Sequence, residues 1–397
     1  MKLLFSATPA FGHILPLVPL MQAAVGAGHA VGLLSSAGFR GEVGAELPPE
    51  VEFLDAGVMP GEFSEEAARR TGADVFRPTP STIGEIFGGA RVDLGIEDSI
   101  GRATDWAPDL IVAEPFDAVG PIVAARLGIG WHQAGIGPAL PAVIAEEIGR
   151  AASARYARLG LRPVAAAGYL DPCPPQLQDP GWSTGTPVRA VRPEAHRRPK
   201  DVALDLPGFG EPDRPTVLVT LGTIFSDPDT LSATVAAVAD AGVNVIATLG
   251  SSLRHPTASQ ASQEEAARAH SDRVRYVPFV PLAQLLEKAD LVVGAGGVGT
   301  VVGTLAHGLP MVLWPQGADQ PINAARAAAS GASVTVDSAA GISSAVADVL
   351  KNDAYRGRAQ DIAAEIARRP EPATVIAEIT EGGERTESAE RAESARQ

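Results

Sequence analysis

Short runs of Val, Leu and Ile alternate along this chain with longer Ala-rich segments whose apolar residues recur at helical spacing. Each apolar run ends in small or polar residues. This alternation is typical of strand–helix units arranged around a parallel sheet. The pattern occurs twice, so we predict an α/β protein that contains two such sheets.

In the first half, the pattern predicts strands near Lys2–Ala7, Ala30–Ser35, Val51–Asp55, Asp109–Glu114 and Gly130–Gln133. The helices of this half are predicted near Ile14–Ala27, Ile96–Asp105, Asp117–Leu127 and Pro141–Leu159. A strand followed by a helix and then by another strand is the unit from which parallel sheets are built. We therefore assign residues 1–200 to the first domain.

The second cycle of strands is predicted at Thr216–Leu221, Val243–Leu249, Val274–Val277, Leu291–Gly294, Pro310–Trp314 and Ser333–Val336. The predicted terminal helices are Tyr355–Arg369 and Pro372–Ile379. We assign residues 215–380 to the second domain, and the last helices are candidates for packing back on the first domain. The Pro-rich stretch Pro193–Pro215 is interpreted as the linker, and 381–397 as a polar tail.

Composition excludes several classes of function. The chain has 397 residues, and its 32 Lys and Arg against 47 Asp and Glu give a net charge of −15. Such a charge repels nucleic acid and anionic membrane surfaces. No apolar run approaches the roughly 18 residues of a membrane span. The single cysteine, Cys173, excludes an internal disulfide framework. We expect a cytoplasmic protein without a secretory leader.

The first candidate for chemistry is His13, which follows the first predicted strand and begins the first helix. The positive end of a helix disfavours a protonated imidazole, so a neutral ring there is suited to act as a general base. Glu114 ends another strand at the same sheet edge and is positioned to orient the ring. Two simpler interpretations remain open: His13 forms only local hydrogen bonds, and Asp117 caps the helix that follows it.

The second half contains a glycine-rich turn, Gly294–Thr300, between a strand and a helix. Backbone N–H groups and a helix N-terminus in such a turn favour a phosphate ligand, and Gly222 with Thr223 forms a second turn of this kind. Glycines also serve tight turns and close packing, so each turn alone is weak evidence. Asp319 and Gln320 follow the next strand, and a carboxylate beside an amide is suited to bind the hydroxyls of a polyol. Asp319 is equally placed to cap the helix that follows.

Three segments together resemble the nucleotide-sugar-dependent glycosyltransferases of the GT-B fold, in particular their bacterial natural-product branch, which also resembles plant UDP-glycosyltransferases. They are the turn Gly12–Pro16, the mid-chain segment Tyr169–Pro175, and a block from Phe279 through the glycine turn and His307–Pro310 to Gln320. The resemblance implies two Rossmann-like domains that face each other across a cleft. The first would bind the acceptor and the second the nucleotide sugar.

The resemblance also implies a role for each matching residue. His13 is similar to the base that deprotonates the acceptor, and Glu114 stands where the family usually has a supporting aspartate. The remaining matches lie on the donor side: Val280 and Pro281 for the nucleotide base; Gly222, Thr223, Gly296, Gly297, Val298, Gly299 and Thr300 for the diphosphate; Asp319 and Gln320 for sugar hydroxyls. One residue departs from the pattern, because relatives generally have histidine at the position of Ala295.

These observations predict an inverting glycosyltransferase that needs no metal or other cofactor. Its donor is a nucleoside diphosphate sugar, with a thymidine-linked deoxysugar favoured over UDP-glucose, and its acceptor is a hydrophobic small molecule. We expect a monomer or homodimer. The main alternative is a catalytically silent nucleotide-sugar-binding protein, for which Ala295 is the argument. A dinucleotide-dependent oxidoreductase is disfavoured by the lack of a GxGxxG fingerprint after the first strand.

The stretch Val58–Ala90 has two open interpretations. It carries Phe63, Phe76, Ile83, Ile86 and Phe87 among glycines. Such a composition suits a mobile lipophilic wall for the acceptor, and it suits ordinary core equally well.

Overall fold

The structure is a computed structural model that describes residues 1–75, 77–198, 200, 203–222, 228–249 and 272–381. Thr223 and Phe76, as well as the predicted tail from residue 382, lie outside the described residues. The chain divides into two compact units. The first comprises Met1–Pro172, Asp179–Arg192 and the chain from Pro370, and the second comprises Cys173–Gln178 and Pro193–Arg369.

The first unit contains a sheet of seven strands in the order β3-β2-β1-β4-β5-β6-β7. Neighbouring strands in it are parallel. The strands are β1 Lys2–Ser6, β2 Ala30–Ser35, β3 Glu52–Asp55, β4 Leu110–Ala113, β5 Gly130–Ala134, β6 Tyr169–Asp171 and β7 Val188–Ala190. The α-helices are α1 Phe11–Ile14, α2 Val18–Gly26, α3 Ala37–Val43, α4 Pro60–Thr71, α5 Pro80–Gly84, α6 Arg91–Trp106, α7 Val119–Leu127 and α8 Ala142–Arg158.

The second unit contains a parallel sheet of six strands in the order β10-β9-β8-β11-β12-β13. The strands are β8 Thr216–Thr220, β9 Asn244–Thr248, β10 Val274–Val277, β11 Leu291–Gly294, β12 Met311–Leu313 and β13 Ser333–Thr335. The α-helices are α9 Pro228–Ala239, α10 Leu282–Leu286, α11 Val298–Ala306, α12 Gln320–Ala329, α13 Ile342–Lys351 and α14 Asp353–Ala367. Residues 372–381 form a further helix, which belongs to the first unit.

Both sheets share one topology, and this confirms the predicted α/β architecture with two Rossmann-like sheets. In each sheet, the second and third strands are added on one side of the first strand, and the fourth strand and those after it are added on the other side. The order therefore reverses between β1 and β4 in the first unit and between β8 and β11 in the second. Ligands of open parallel sheets bind beyond the carboxyl ends of the strands at such a reversal.

The strands at the two reversals are apolar because helices cover both faces of each sheet. All four residues of β4 are buried, as are all four of β11. In the second unit, alternate strand residues enter different core clusters: Val217 and Val219 pack on one face and Leu218 on the other. Within the described residues, no helix is both long enough and apolar enough to cross a bilayer.

The predicted first helix differs from the observed one. It was expected to run without a break from Ile14 to Ala27, but it consists of α1, a 3₁₀ turn over Leu15–Leu17, and α2. Pro16 and Pro19 explain the division, because proline has no N–H group to donate to the carbonyl one turn earlier. Each proline lies in the first turn of its own segment, where that loss is tolerated.

In the segment 58–90, Pro60–Thr71, Pro80–Gly84 and Glu85–Ala90 are helical, and two of the large apolar side chains belong to the core. Phe63 is 1% exposed and Ile86 is 5% exposed in a shared cluster. Between α5 and α6 the chain forms a π-helical turn, Glu85–Ala90, and Gly88 in this turn lies so close to α8 that a Cβ would meet the carbonyl oxygen of Ile148 at 2.3 Å. Of the two open interpretations, the structure favours core for Phe63 and Ile86.

Ion pairs fasten this helical segment. Arg70 of α4 contacts Glu85 at 2.8 Å and Asp93 at 2.6 Å, and Arg155 of α8 contacts Asp93 at 2.7 Å. Arg158 also contacts Asp93. Of the three arginine side chains around Asp93, those of Arg70 and Arg155 are at most one quarter exposed, and that of Arg158 is 55% exposed. This network links α4, the π-helical turn, α6 and α8, of which the first two lie in the stretch Val58–Ala90, where the apolar pattern predicts no helix.

Candidate active site

The order reversal of the first sheet brings together the predicted general base and its predicted supporting carboxylate. His13 lies in α1, just after β1, and Glu114 directly follows β4, the neighbour of β1. His13 Nδ1 is 3.1 Å from Glu114 Oε1. The His13 side chain is 17% exposed, whereas that of Glu114 is fully buried. A ring at the surface is therefore backed by a carboxylate in the interior.

Several donors hold the Glu114 carboxylate in place. Thr8 donates twice to Oε1, from its hydroxyl at 2.7 Å and from its backbone N–H at 3.2 Å, and the N–H of Phe116 donates to Oε2 at 2.8 Å. Burial by itself raises the pKa of the Glu114 carboxyl, but the charges of His13 and Arg91 and the donated hydrogen bonds outweigh it. The resulting pKa is about 2. Glu114 is therefore ionised at neutral pH.

The His13 imidazole is bordered by aromatic rings. Its centroid lies 5.2 Å from that of Phe116, edge to face, and 6.2 Å from that of Phe87 in the π-helical turn. Nδ1 is buried, so the exposed part of the ring lies elsewhere on the imidazole. The contact between Nδ1 and Glu114 is close enough for a strong charge interaction but falls short of a well-aligned hydrogen bond.

A buried ion pair supports the same edge of the sheet. Arg91, the first residue of α6, pairs with Asp117, and both side chains are at most 8% exposed. Asp117 also accepts hydrogen bonds from the N–H groups of Val119 and Gly120 at the start of α7. The helix-capping interpretation of Asp117 is therefore correct. Sequence reasoning missed Arg91, which precedes the predicted helix near Ile96–Asp105 and has no sequence neighbour that points to a partner.

In the second unit, the carboxyl ends of neighbouring strands carry the predicted donor residues. Gly222 follows β8, and the turn Ala295–Gly297 joins β11 to α11. Gly222 and Gly296 have left-handed backbones with φ of 83° and 90°, which glycine adopts without strain. The N-cap residue of α11, Gly297, has no side chain to accept from the N–H groups of the first turn, and Gly299 in that turn is exposed. Val298, Gly299 and Thr300 form that first turn.

Asp319 and Gln320 occupy the start of α12, after β12. Asp319 is the N-cap residue, yet its side chain accepts no helix N–H; Oδ2 accepts from Asn323 Nδ2 at 2.7 Å. The Asp319 carboxylate therefore does not cap α12. Gln320 is 6% exposed, and its Oε1 accepts from the N–H groups of Gln316 and Gly317 at 2.8 and 3.1 Å. Gln320 thus holds the loop before α12.

Asn323 was not found from the sequence. It is 4% exposed, and besides Asp319 it donates to the carbonyl oxygen of Gly296 at 3.0 Å. The buried Asn323 amide therefore has two specific partners, the Gly296 carbonyl oxygen and the carboxylate predicted to bind sugar. Its only sequence signal was its spacing of four residues from Asp319, one helical turn.

The remaining predicted residues border the same sheet. Val280 packs partly against the core, and Pro281 is the residue that precedes α10. Ala295 is 1% exposed, so the position at which relatives generally have histidine is buried here. His307 Nδ1 is 2.8 Å from the carbonyl oxygen of Gly303, one turn earlier in α11. Among the described residues, no three His, Cys, Asp or Glu side chains group closely enough to hold a metal ion.

Two family models match the chain. The model for the C-terminal domain of erythromycin biosynthesis protein CIII-like proteins covers residues 232–381, and the model for the N-terminal domain of the same proteins covers residues 92–192. Each model lies in the part of the chain where the corresponding domain is predicted.

Similarity to individual proteins extends over nearly the whole chain. The elloramycin glycosyltransferase ElmGT of Streptomyces olivaceus is 30% identical, with 96% of this chain and 97% of that protein covered. The L-demethylnoviosyl transferase of Streptomyces niveus is 28% identical, with 94% and 96% covered. The glycosyltransferase SsfS6 of Streptomyces sp. SF2575, solved with thymidine diphosphate, superimposes with a TM-score of 0.77 at 28% identity over 96% of this chain and 99% of that one.

Proposed function

The chain belongs to the bacterial natural-product glycosyltransferases of the GT-B fold, and from this premise we propose that it transfers a deoxysugar, with inversion, from a nucleoside diphosphate to a hydroxyl of a hydrophobic acceptor. The observation that carries the proposal is the 3.1 Å contact between His13 Nδ1 and the buried, ionised Glu114. His13 is the proposed general base and Glu114 its orienting carboxylate.

The contact with Glu114 supports Nε2 of His13 as the proton acceptor. A carboxylate next to Nδ1 favours the tautomer that carries hydrogen there, which leaves the lone pair on Nε2. In the proposed step, Nε2 takes the proton of the acceptor hydroxyl while its oxygen forms a bond to the anomeric carbon. The bond from that carbon to the diphosphate oxygen breaks, and the diphosphate leaves with the electron pair. Glu114 stabilises the imidazolium that forms.

The surroundings of His13 support a hydrophobic acceptor. The rings of Phe87 and Phe116 are 4.9 Å apart, both are partly exposed, and both border the imidazole. Partly exposed aromatic rings next to a reacting group offer apolar area together with a defined orientation. Phe87 is the one residue of the stretch 58–90 to which we assign an acceptor contact.

The donor is proposed to bind at the second unit. Gly222 and Thr223 with the turn Gly296–Thr300 are assigned to the diphosphate, Val280 and Pro281 to the nucleotide base, and Asp319 to sugar hydroxyls. Gln320 would reach the sugar only through its amide NH₂ group, because its oxygen already accepts two backbone hydrogen bonds. Thymidine diphosphate in SsfS6 supports a thymidine-linked donor. Backbone N–H groups and the α11 N-terminus are proposed to stabilise the leaving diphosphate without a metal.

A substitution of the base tests the proposal. In His13→Ala, transfer to the acceptor should fall by about 10²–10⁴-fold, the usual contribution of general acid–base catalysis. Binding of the nucleoside diphosphate should remain within about twofold of the unaltered chain, because the assigned donor residues lie in the second unit. Release of nucleoside diphosphate from a panel of thymidine and uridine sugars, with mixed hydrophobic acceptors, measures the first quantity, and calorimetry the second. Equal loss of both would contradict the assignment of His13.

A second candidate function follows from Ala295. If the missing histidine abolishes turnover, the chain is a nucleotide-sugar-binding protein without transferase activity. The same panel separates the two functions: detectable binding with no nucleoside diphosphate released by the unaltered chain would favour the silent protein. The variant Ala295→His provides the matched arm, since gain of turnover on introducing the histidine would identify its absence as the cause.

A further inference from the structure

Asn323 connects two parts of the proposed donor site through a single nitrogen atom. Its Nδ2 donates one hydrogen bond to the carbonyl oxygen of Gly296 at 3.0 Å and another to Oδ2 of Asp319 at 2.7 Å. An amide NH₂ group has two hydrogens, so both are used. The Asn323 side chain is 4% exposed, which leaves little solvent to replace either bond.

The backbone around Asp319 needs such support. Ala318, the residue before it, has a left-handed backbone with φ of 53°, a conformation that is costly for a residue with a Cβ atom. Such conformations persist when neighbouring contacts enforce them, and they are concentrated at functional sites. Here Gln320 Oε1 accepts the N–H groups of the loop just before Ala318, and Asn323 holds the carboxylate just after it.

The glycine turn is also packed directly against α12. A Cβ atom on Gly296 would lie 3.0 Å from the carbonyl oxygen of Gln320, so only glycine fits this approach without a shift. The turn and the first turn of α12 therefore form one packed structure, and Asn323 is the polar link within it.

We propose that Asn323 is a positioning residue that fixes the Asp319 carboxylate relative to the glycine turn, so that the diphosphate and the sugar of the donor are recognised together. This inference rests on the proposed function, in which the turn binds the diphosphate and Asp319 binds the sugar. Its consequence is specific. Loss of Asn323 weakens recognition of both halves of the donor, whereas loss of the Asp319 carboxylate weakens recognition of the sugar alone.

Asn323→Asp is the sharpest variant because it keeps the size and shape of the side chain. A carboxylate cannot donate to the Gly296 carbonyl, and it places a second negative charge next to Asp319. Asp319→Asn is the partner variant. Ser330→Ala is the matched control, since Ser330 follows the end of the same helix, is also buried, and its hydroxyl donates to the Ala327 carbonyl oxygen and accepts from the Ala332 N–H.

Calorimetric titration of each variant uses thymidine diphosphate, uridine diphosphate and dTDP-glucose as probes. For the diphosphate that the unaltered chain binds more tightly, Asn323→Asp should weaken binding about tenfold. Asp319→Asn should leave the affinity for that diphosphate unchanged and weaken the binding of dTDP-glucose about tenfold. Ser330→Ala should change neither. In steady-state transfer, Asn323→Asp should raise the KM for the donor and leave the KM for the acceptor unchanged.

The outcomes that overturn the inference are distinct from those that overturn the proposed function. If Asn323→Asp binds both diphosphates like the unaltered chain and lowers only the melting temperature, Asn323 is structural and the inference is wrong. If it affects dTDP-glucose alone, as Asp319→Asn does, the coupling to the glycine turn is wrong. Failure of the unaltered chain to bind any of the three probes would overturn the proposed donor site and this inference with it.

Discussion

The two units bury very different side chains. Among the Asp, Glu, His, Lys and Arg residues that the structure describes, the first unit buries Glu46, Arg91, Glu114, Asp117, His132 and Asp171, whereas the second buries His196. At its order reversal, the first unit has an ionised carboxylate beside an imidazole. At the equivalent place, the second has glycines, the Asn323 amide and the N-terminus of a helix whose N-cap residue is glycine.

This difference reflects the two tasks proposed for the units. Moving a proton needs titratable groups that the interior holds in a defined state. Binding a diphosphate needs fixed donors, and the backbone supplies them at the start of a helix without any side-chain charge. The first unit should therefore respond to acid and to charge-removing substitutions, and the second to changes of backbone geometry. Four variants test this contrast, ordered from the largest expected effect.

Glu114→Gln removes the charge that orients His13 and keeps the shape of the side chain. We expect the rate of transfer to fall by about 10²–10⁴-fold, because the base loses its orienting partner. Affinity for the nucleoside diphosphate should stay within about twofold. Steady-state kinetics and calorimetry measure the two quantities. Glu52→Gln is the control. Glu52 accepts a 2.8 Å hydrogen bond from Trp106 Nε1, and it lies in β3, which is not one of the two strands at the reversal. A rate near that of the unaltered chain would show that Glu114 serves packing alone.

Arg91→Met leaves the Asp117 carboxylate buried without its cation. Breaking a buried ion pair in this way typically destabilises a protein by about 3–5 kcal/mol. Amide exchange followed by mass spectrometry should show faster opening of the first unit, while amides of the second unit exchange as before. Arg91→Met with Asp117→Asn should recover part of the loss, because no unpaired charge then remains. Equal opening of both units would contradict the contrast.

Acid should destabilise the first unit before the second. Burial lowers the pKa of His132, and the nearby Arg189 charge adds to this effect, so the pKa is about 4 instead of 6.5. Because the unfolded chain binds the proton more readily, the stability present above pH 6.5 is lost as the pH falls toward 4. The loss approaches about 3 kcal/mol at 1.36 kcal/mol per pKa unit. Melting temperatures at pH 7 and pH 5 measure it.

His132→Gln removes this titration. The variant should show a flatter dependence of stability on pH between 6.5 and 4 than the unaltered chain. Glu114 contributes only at the acid end of this window: its carboxyl has a pKa of about 2 in the folded chain against an ordinary 4.5, so its stabilisation is lost mainly below about pH 5, and His132 dominates above that. A pH dependence that persists in His132→Gln would assign the acid sensitivity to another group.

Gly296→Ala tests the second unit by geometry alone. The left-handed backbone and the 3.0 Å approach to the Gln320 carbonyl oppose a Cβ atom, at a cost of about 1–3 kcal/mol. We expect weaker binding of thymidine diphosphate by calorimetry and an unchanged pH dependence of transfer. Gly357→Ala in α14 is the control, because its Cβ would meet no atom within 4 Å. Normal affinity in Gly296→Ala would show that the turn does not form the diphosphate site.

Sequence reasoning succeeded where one local signal was sufficient. The apolar runs located β1–β5 and β8–β13 to within a residue or two, as at Ala30–Ser35 and Leu291–Gly294, but they did not predict the short strands β6 and β7. It also paired His13 with Glu114 correctly, because both follow strands whose carboxyl ends meet at one sheet edge. It did not find the helices between residues 60 and 90. In α5 and the π-helical turn, the apolar positions are interrupted by Gly84 and Gly88, which pack closely against α8, an element far away in the sequence.

The sequence by itself determined the alternation of strands and helices, the two cycles, the glycine turns and the family, because each is written in residues that are close together along the chain. Only the tertiary structure decided the partners: Arg91 for Asp117, Thr8 for Glu114, and Asn323 for both Gly296 and Asp319. The physical reason is that a buried polar group must be satisfied by whatever group packing brings to it. Packing is set by the whole fold, which no short stretch of sequence contains.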